Sequence, residues 1–182
     1  MNRDEEKGFK NFYYAVRTST GTGTPVPMPG AIKISVKPQT ENRVVNIRRS
    51  DGTLIQYTEG AVETGKTATV DIINLPVSFL TDILGYTVDE NGVLIEHEQQ
   101  ANHFVLLYEN TRNGEAVRHQ YTDCVCSKPN FDVTTITSEA GIDKKSLELI
   151  LNPDIFGSGG YSKSITESQN PEIFAKWFDK VY

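Results

Sequence analysis

Apolar and polar residues alternate along most of this chain. Alternation places successive side chains on opposite faces of a strand. In residues 31–37, Ile32, Ile34 and Val36 fall on one side and Lys33, Ser35 and Lys37 on the other. Residues 66–74 repeat the pattern with Ala68, Val70 and Ile72, and residues 146–151 with Leu147, Leu149 and Leu151. Residues 8–16 are dense in aromatic and β-forming residues and predict the first strand. Two pairs of strands flank tight-turn signals: 43–49 with 54–58 around Asp51-Gly52, and 103–108 with 115–126 around Asn113-Gly114. Further strands are predicted at 93–95, after the turn at 89–92, and at 131–138.

The period changes twice. Phe79, Leu80, Ile83 and Leu84 follow Pro76 at helical spacing and stop before Gly85, which predicts a short helix over 76–84. Asn170 and Pro171 supply a cap and a first turn for a terminal helix, with Ile173, Phe174, Trp177, Phe178 and Val181 as its apolar stripe. The connections read as a solvated arm over 1–8, a Pro- and Gly-rich loop over 19–30, and a flexible Gly-Ser connector over 157–160. Together these elements predict a mainly β domain spanning 1–182. It is a β-sandwich or barrel of two packed sheets with a short flanking helix, an extended hairpin over 42–60, and a linker plus C-terminal helix over 153–182.

Composition narrows the function classes. With 182 residues, folding buries roughly 70% of the extended chain's surface, so no staples are needed. Hydrophobic residues make up 37% and charged residues 23%, and mean hydropathy is -0.40. These values are globular, neither disordered nor membrane-like. The net charge of -6 argues against a protein that grips nucleic acid, since phosphate binding needs a basic surface. No apolar run approaches the roughly 20 residues that span a bilayer. The charged start has no apolar stretch behind it, which predicts a protein made and folded in cytosol rather than secreted.

Candidate chemistry is thin. His97 lies between Glu96 and Glu98, but neighbours on a strand point apart, so these three do not converge on a metal. His103 and His119 are isolated. Cys124 and Cys126 share a strand face, without a second pair for zinc, and read as small buried hydrophobes. Ser158 lacks the Gly-x-Ser-x-Gly setting, and no phosphate-cradling glycine loop is present. The sequence therefore predicts no enzyme, metal or cofactor.

The chain instead carries an apolar surplus in apparent appendages. The hairpin over 42–58 holds Val44, Val45, Ile47, Leu54, Ile55 and Tyr57. Val44 and Val45 are consecutive, so apolar residues fall on both faces. Either both faces are buried inside the domain, or the ribbon packs on another subunit. The stripe around Phe174, Trp177 and Phe178 poses the same choice between its own core and a neighbour.

Four segments carry a resemblance. Gly8-Phe-Lys-Asn-Phe-Tyr-Tyr-Ala-Val16 forms a strand after a short charged arm. Tyr57-Thr-Glu-Gly-Ala-Val-Glu-Thr64 joins a tyrosine to acids behind the hairpin. Residues 73–89 place Leu75-Pro76 before a short helix that ends at Leu84-Gly85. The chain closes on Trp177-Phe-Asp-Lys-Val-Tyr182. In order and spacing the sequence resembles the major tail protein, the tail-tube subunit of long-tailed (siphovirus) bacteriophages. It departs from that pattern in the Gly-Ser-rich stretch over 152–169.

The resemblance implies a structural virion protein with no reaction to catalyse, assembled in the host cytoplasm. Hexameric rings would stack into a tube around a tape-measure protein, between baseplate and tail terminator proteins. DNA would pass through the lumen without specific binding. The hairpin would reach the next ring through Val44, Val45, Ile47, Leu54, Ile55 and Tyr57. An acidic wall suits such a conduit, because a basic one would hold DNA. Glu63, Asp71 and Asp123 are the candidate lumen acids. Two alternatives stay open: the tube protein of a related contractile or secretion machine, and a monomeric β-sandwich binding module. The latter would show Tyr13, Tyr14, Tyr108 and Tyr121 as exposed aromatics on one sheet face.

Overall fold

A computed structural model describes residues 6–19, 21–98, 102–129, 144–155, 157 and 159–182. The strands are β1 (Glu6–Thr18), β2 (Gly21–Thr22), β3 (Val26–Pro27), β4 (Ala31–Arg48), β5 (Leu54–Ile72), β6 (Thr87–Val88), β7 (Leu94–Ile95), β8 (Phe104–Arg112), β9 (Glu115–Cys126), β10 (Lys145–Asn152) and β11 (Ser162–Thr166). The helices are α1 (Val77–Asp82), between β5 and β6, and α2 (Pro171–Ala175), after β11. The predicted strand at 131–138, most of the predicted arm and Ser158 lie outside the described residues.

The fold is mainly β, as its alternation predicts. One large antiparallel sheet runs in the order β2-β1-β8-β9-β10-β5-β4, with β3 added on β1 and β11 on β9; β6 and β7 form a small second sheet. One face of the large sheet carries Phe12, Tyr14, Val70, Phe104, Leu106, Leu147 and Leu149 into the main core. The region around α1 fills that face with Phe79, Leu80, Ile83 and Leu84. Phe79 meets Tyr14 and Phe104 edge-on, with ring centroids 5.1 and 5.6 Å apart. Gly8 and Phe9 of β1 line the same cavity of about 470 Å³ as Ile34 and Val36 of β4, although these strands lie near opposite ends of the strand order. The sheet therefore bends round its core as an open barrel. Bulges along β1, one at Asn11 with φ 52°, accompany the bend.

The other face is apolar only near the middle. Ala15, Val105 and Leu107 form a patch there, and Trp177 covers it. The C-terminal stripe thus docks on its own domain. Asn170 caps α2 by accepting from the Ile173 N–H at 3.1 Å.

Several boundaries differ from the pattern reading. The predicted pieces at 31–37 and 43–49 are one strand, β4, and those at 54–58 and 66–74 are one strand, β5. Bulges at Gln39/Thr40 and Arg43/Val44 carry the pairing through the polar stretch between them. Pro76 is extended and caps α1 rather than lying within it, and Gly85, at φ 75°, ends the segment as predicted. The terminal helix is shorter than its stripe: α2 stops at Ala175, and Trp177 and Phe178 sit in turns whose packing holds them without helical spacing. The linker predicted from residue 153 onward also contains a strand, β11, which pairs with residues 117–121 of β9.

Candidate functional site

The long hairpin formed by β4 and β5 leaves the barrel. Strand β10 pairs with β5 only as far as Lys66, opposite Leu151. Beyond Pro38 and Lys66 the two strands, among the described residues, pair with each other alone. At about 3.3 Å per residue, the stretch from Pro38 to Arg48 reaches roughly 33 Å from the last barrel pairing.

The tip is tightly built. The Arg49 N–H donates to the Thr53 carbonyl at 2.8 Å and the Gly52 N–H to the Arg49 carbonyl at 2.9 Å. Gly52, at φ 87°, takes the left-handed position that such a three-residue loop needs. The Asp51 carboxylate accepts from the Thr53 hydroxyl at 2.6 Å and from its N–H at 2.9 Å. These bonds hold the Asp51 carboxyl below its ordinary value.

The register sorts the side chains. Val45 lies opposite Tyr57 and Ile47 opposite Ile55, so these four share one face. Val44 lies opposite Thr58, Asn46 opposite Gln56 and Leu54 opposite Arg48, which makes the second face mixed. Apolar residues do occur on both faces, but pairing gathers four of them on one. Nor does the domain bury them. Leu54 is 64% exposed and Tyr57 53%, Val44 and Ile47 are exposed, and Val45 and Ile55 are half-buried. This removes the reading in which both faces are core. A two-stranded ribbon is marginal alone in water, and this one carries its apolar side chains outside the core. The exposed Arg43–Glu59 ion pair, at 3.0 Å, adds little to its stability.

The remaining predicted residues are dispersed. Phe174 and Trp177 are buried against the domain, and Phe178 stacks on Tyr13 with centroids 4.7 Å apart. Glu63 is exposed on the stem of the hairpin and pairs with Lys66 at 3.4 Å. Asp71 lies on the face of β5 opposite the core residues Val70 and Ile72, and accepts from the Ser146 hydroxyl at 2.8 Å. Asp123 is buried, 2.7 Å from His103 Nδ1. His97 bonds the Thr87 hydroxyl at 2.8 Å, while Glu96 pairs with Lys128. His119 stacks on Tyr108 with centroids 4.8 Å apart. Burial pushes the Cys126 thiol up to about 12 and the Cys124 thiol well above its ordinary value, so both sit as neutral core groups. Tyr14, Tyr108 and Tyr121 are buried and Tyr13 is stacked, so they form no exposed aromatic platform.

Two features were not legible in the pattern. Arg118 lies between the rings of Phe174 and Phe178, 3.9 and 4.8 Å from their centroids, while its Nε donates to Glu109 at 2.9 Å. The β6–β7 hairpin holds Val88, Val93, Leu94 and Ile95 exposed. Among the described residues no group of three His, Cys, Asp or Glu side chains is placed to hold a metal, and no helix is long and apolar enough to cross a membrane.

No family model matches the chain, and no curated protein matches it by sequence. Among solved structures it is similar to a chain of the PVC sheath–tube complex, an extracellular contractile injection system in its extended state. The identity is 13%, 86% of this chain and 88% of that one are covered, and the TM-score is 0.39. It is also similar to a chain of the PVC sheath/tube terminator, at 12% identity, 85% and 93% coverage and a TM-score of 0.36. A third likeness is to the anti-feeding prophage cap, at 12% identity, 84% and 87% coverage and a TM-score of 0.32. These neighbours are parts of tube and cap assemblies.

Proposed function

We propose that this chain is a structural subunit that assembles with copies of itself into a tail tube, and specifically that it is the major tail-tube protein of a long-tailed phage. The observation that carries the reading is the projecting hairpin, which presents Val45, Ile47, Ile55 and Tyr57 on one face outside the core, Ile47 and Tyr57 exposed and Val45 and Ile55 half-buried. Burying such side chains in a contact would contribute on the order of 1 kcal/mol each. The four-segment resemblance supports the choice of a tube among self-assembling structures. On this reading hexameric rings stack through the hairpin around a tape-measure protein, between tail terminator and baseplate. The tube is assembled in the host cytoplasm and carried in the virion, and its role is a passage for DNA with no catalytic step.

The test is the paired substitution Ile47→Asp with Ile55→Asp. Both residues stand on the ribbon, away from the core, so the monomer is expected to keep its circular dichroism and melting temperature. Light scattering and negative-stain micrographs over a concentration series are expected to show rings or tubes for the native chain and none for the variant. Unchanged tubes in the variant would remove the hairpin from the contact.

A further inference from the structure

We infer that the apolar face of the projecting hairpin docks on the β6–β7 hairpin of a second copy of this chain, in a head-to-tail contact. This rests on the assembly reading above and names the surface that receives the hairpin. Among the described residues strands β6 and β7 pair only with each other, with Thr87 opposite Ile95 and Val88 opposite Leu94. Their turn is fixed by the Asp89 carboxylate, which accepts from the Asn91 N–H at 2.9 Å and the Val93 N–H at 2.7 Å. Lys128 ties the base of this flap to the barrel. It pairs with Glu96 at 2.8 Å, donates to the His97 carbonyl and lies 5.0 Å from the Tyr86 ring centroid. The flap is therefore anchored at its base while its apolar side chains stay uncovered, Val93 being 55% exposed.

Three observations make a second copy the occupant. First, the two surfaces match in form. Each is a two-stranded antiparallel ribbon with a directly opposed apolar pair, Ile47 with Ile55 on the hairpin and Val88 with Leu94 on the flap, so one packs on the other as a small pair of sheets about 10 Å apart. Second, they match in charge. The hairpin tip carries Arg48 and Arg49 against Asp51, whereas residues 85–98 carry Asp89, Glu90 and Glu98 beside a Glu96 that Lys128 already neutralises. Glu90 and Glu98 are exposed, as are Arg48 and Arg49. Third, each surface holds exposed apolar side chains, Ile47 and Tyr57 on the hairpin and Val88 and Leu94 on the flap. A contact between two different patches leaves one of each unused at the ends, so it propagates.

Charge exchange tests this. One variant carries Arg48→Glu with Arg49→Glu; a second carries Glu90→Lys with Glu98→Lys. Each alone is expected to raise the critical concentration for assembly at least tenfold in light scattering, while circular dichroism stays native. Mixed in equal amounts they are expected to co-assemble, because each hairpin then meets a flap of opposite charge. A chain carrying all four substitutions is expected to assemble by itself. If the hairpin variant fails, the flap variant assembles normally and neither the mixture nor the fourfold variant recovers, the flap is not the receiver, although the hairpin still drives assembly. If Ile47→Asp with Ile55→Asp also leaves assembly intact, the hairpin is no contact and this inference falls, whereas a native chain that forms neither rings nor tubes at any concentration overturns the assembly reading itself. To place the contact directly, Arg48→Lys and Arg49→Lys keep the charge while allowing a zero-length carbodiimide cross-link. Peptide mapping of mixed isotopically light and heavy chains is expected to join position 48 or 49 of one copy to Glu90 or Glu98 of another. Links confined to single copies, or no link, would overturn the inference.

Discussion

At the scale of the residue, the informative group is Glu109. It is buried on β8, where the Lys10 ammonium at 3.0 Å, the Arg118 Nε at 2.9 Å and the Asn11 amide at 3.3 Å all reach it. Burial alone would raise its carboxyl, but the hydrogen bonds from Lys10, Arg118 and Asn11 outweigh burial, and the net shift is downward from 4.5. A carboxyl with a depressed folded pKa contributes stability above its unfolded pKa, and that contribution is lost as pH falls through the folded value. Native protein should therefore lose stability below about pH 4.5, in part through this group. Glu109→Gln is expected to cost about 3 kcal/mol at neutral pH, since Arg118 keeps a partly buried charge without its partner, and to flatten that acid limb. Denaturant midpoints measured from pH 3 to 7 check both. Arg118 also donates to the Phe174 carbonyl, so the same cluster holds the C-terminal segment to its own domain.

At the scale of the element, one hairpin has two energetic characters. Its stem is sheet: Ile34, Val36, Ala68 and Val70 face the core, and β10 pairs with β5 along it. Among the described residues its outer half shares no backbone pairing with any other strand. Replacing residues 42–60 by a two-residue turn is therefore expected to leave the melting temperature within a few degrees of native, because little buried surface is lost. A fall of more than 10 °C would show that the outer half supports the barrel. The short helix makes the opposite case. Alone, α1 is too short to be stable, and Phe79 and Leu80 hold it by filling the open barrel. The apolar spacing after Pro76 was enough to predict it. The C-terminal segment was legible only as a stripe, because Trp177 docks from a turn and burial, not helical period, explains its position.

At the scale of the whole molecule, the net charge of -6 matters through its distribution. On the proposed assembly, the acids at 85–98 and the arginines at the hairpin tip would be the two unlike partners of the contact. Of the lumen candidates, Asp123 is poorly suited as a probe, since it is buried against His103. Glu63 and Asp71 stand on β5 outside the core and can report. If they line the passage, Glu63→Lys with Asp71→Lys is expected to permit tubes but slow DNA release from assembled particles. Normal release with both in place would refute the electrostatic part of the conduit reading.

The sequence by itself determined the β class, the two turns at Asp51-Gly52 and Asn113-Gly114, the α1 segment and most of the apolar residues that became core. These follow from local periods and from backbone preferences of single residues, which neighbours along the chain largely decide. Only the tertiary structure decided that 31–48 and 54–72 are two continuous strands, that Val45, Ile47, Ile55 and Tyr57 share an uncovered face, and that Trp177 packs on its own domain. Bulges shift a register by one residue without leaving a clear mark in composition, and a one-residue shift moves every side chain to the other face. Whether an apolar side chain is core or surface depends on what arrives opposite it, and here that is set by where β10 stops pairing, at Lys66.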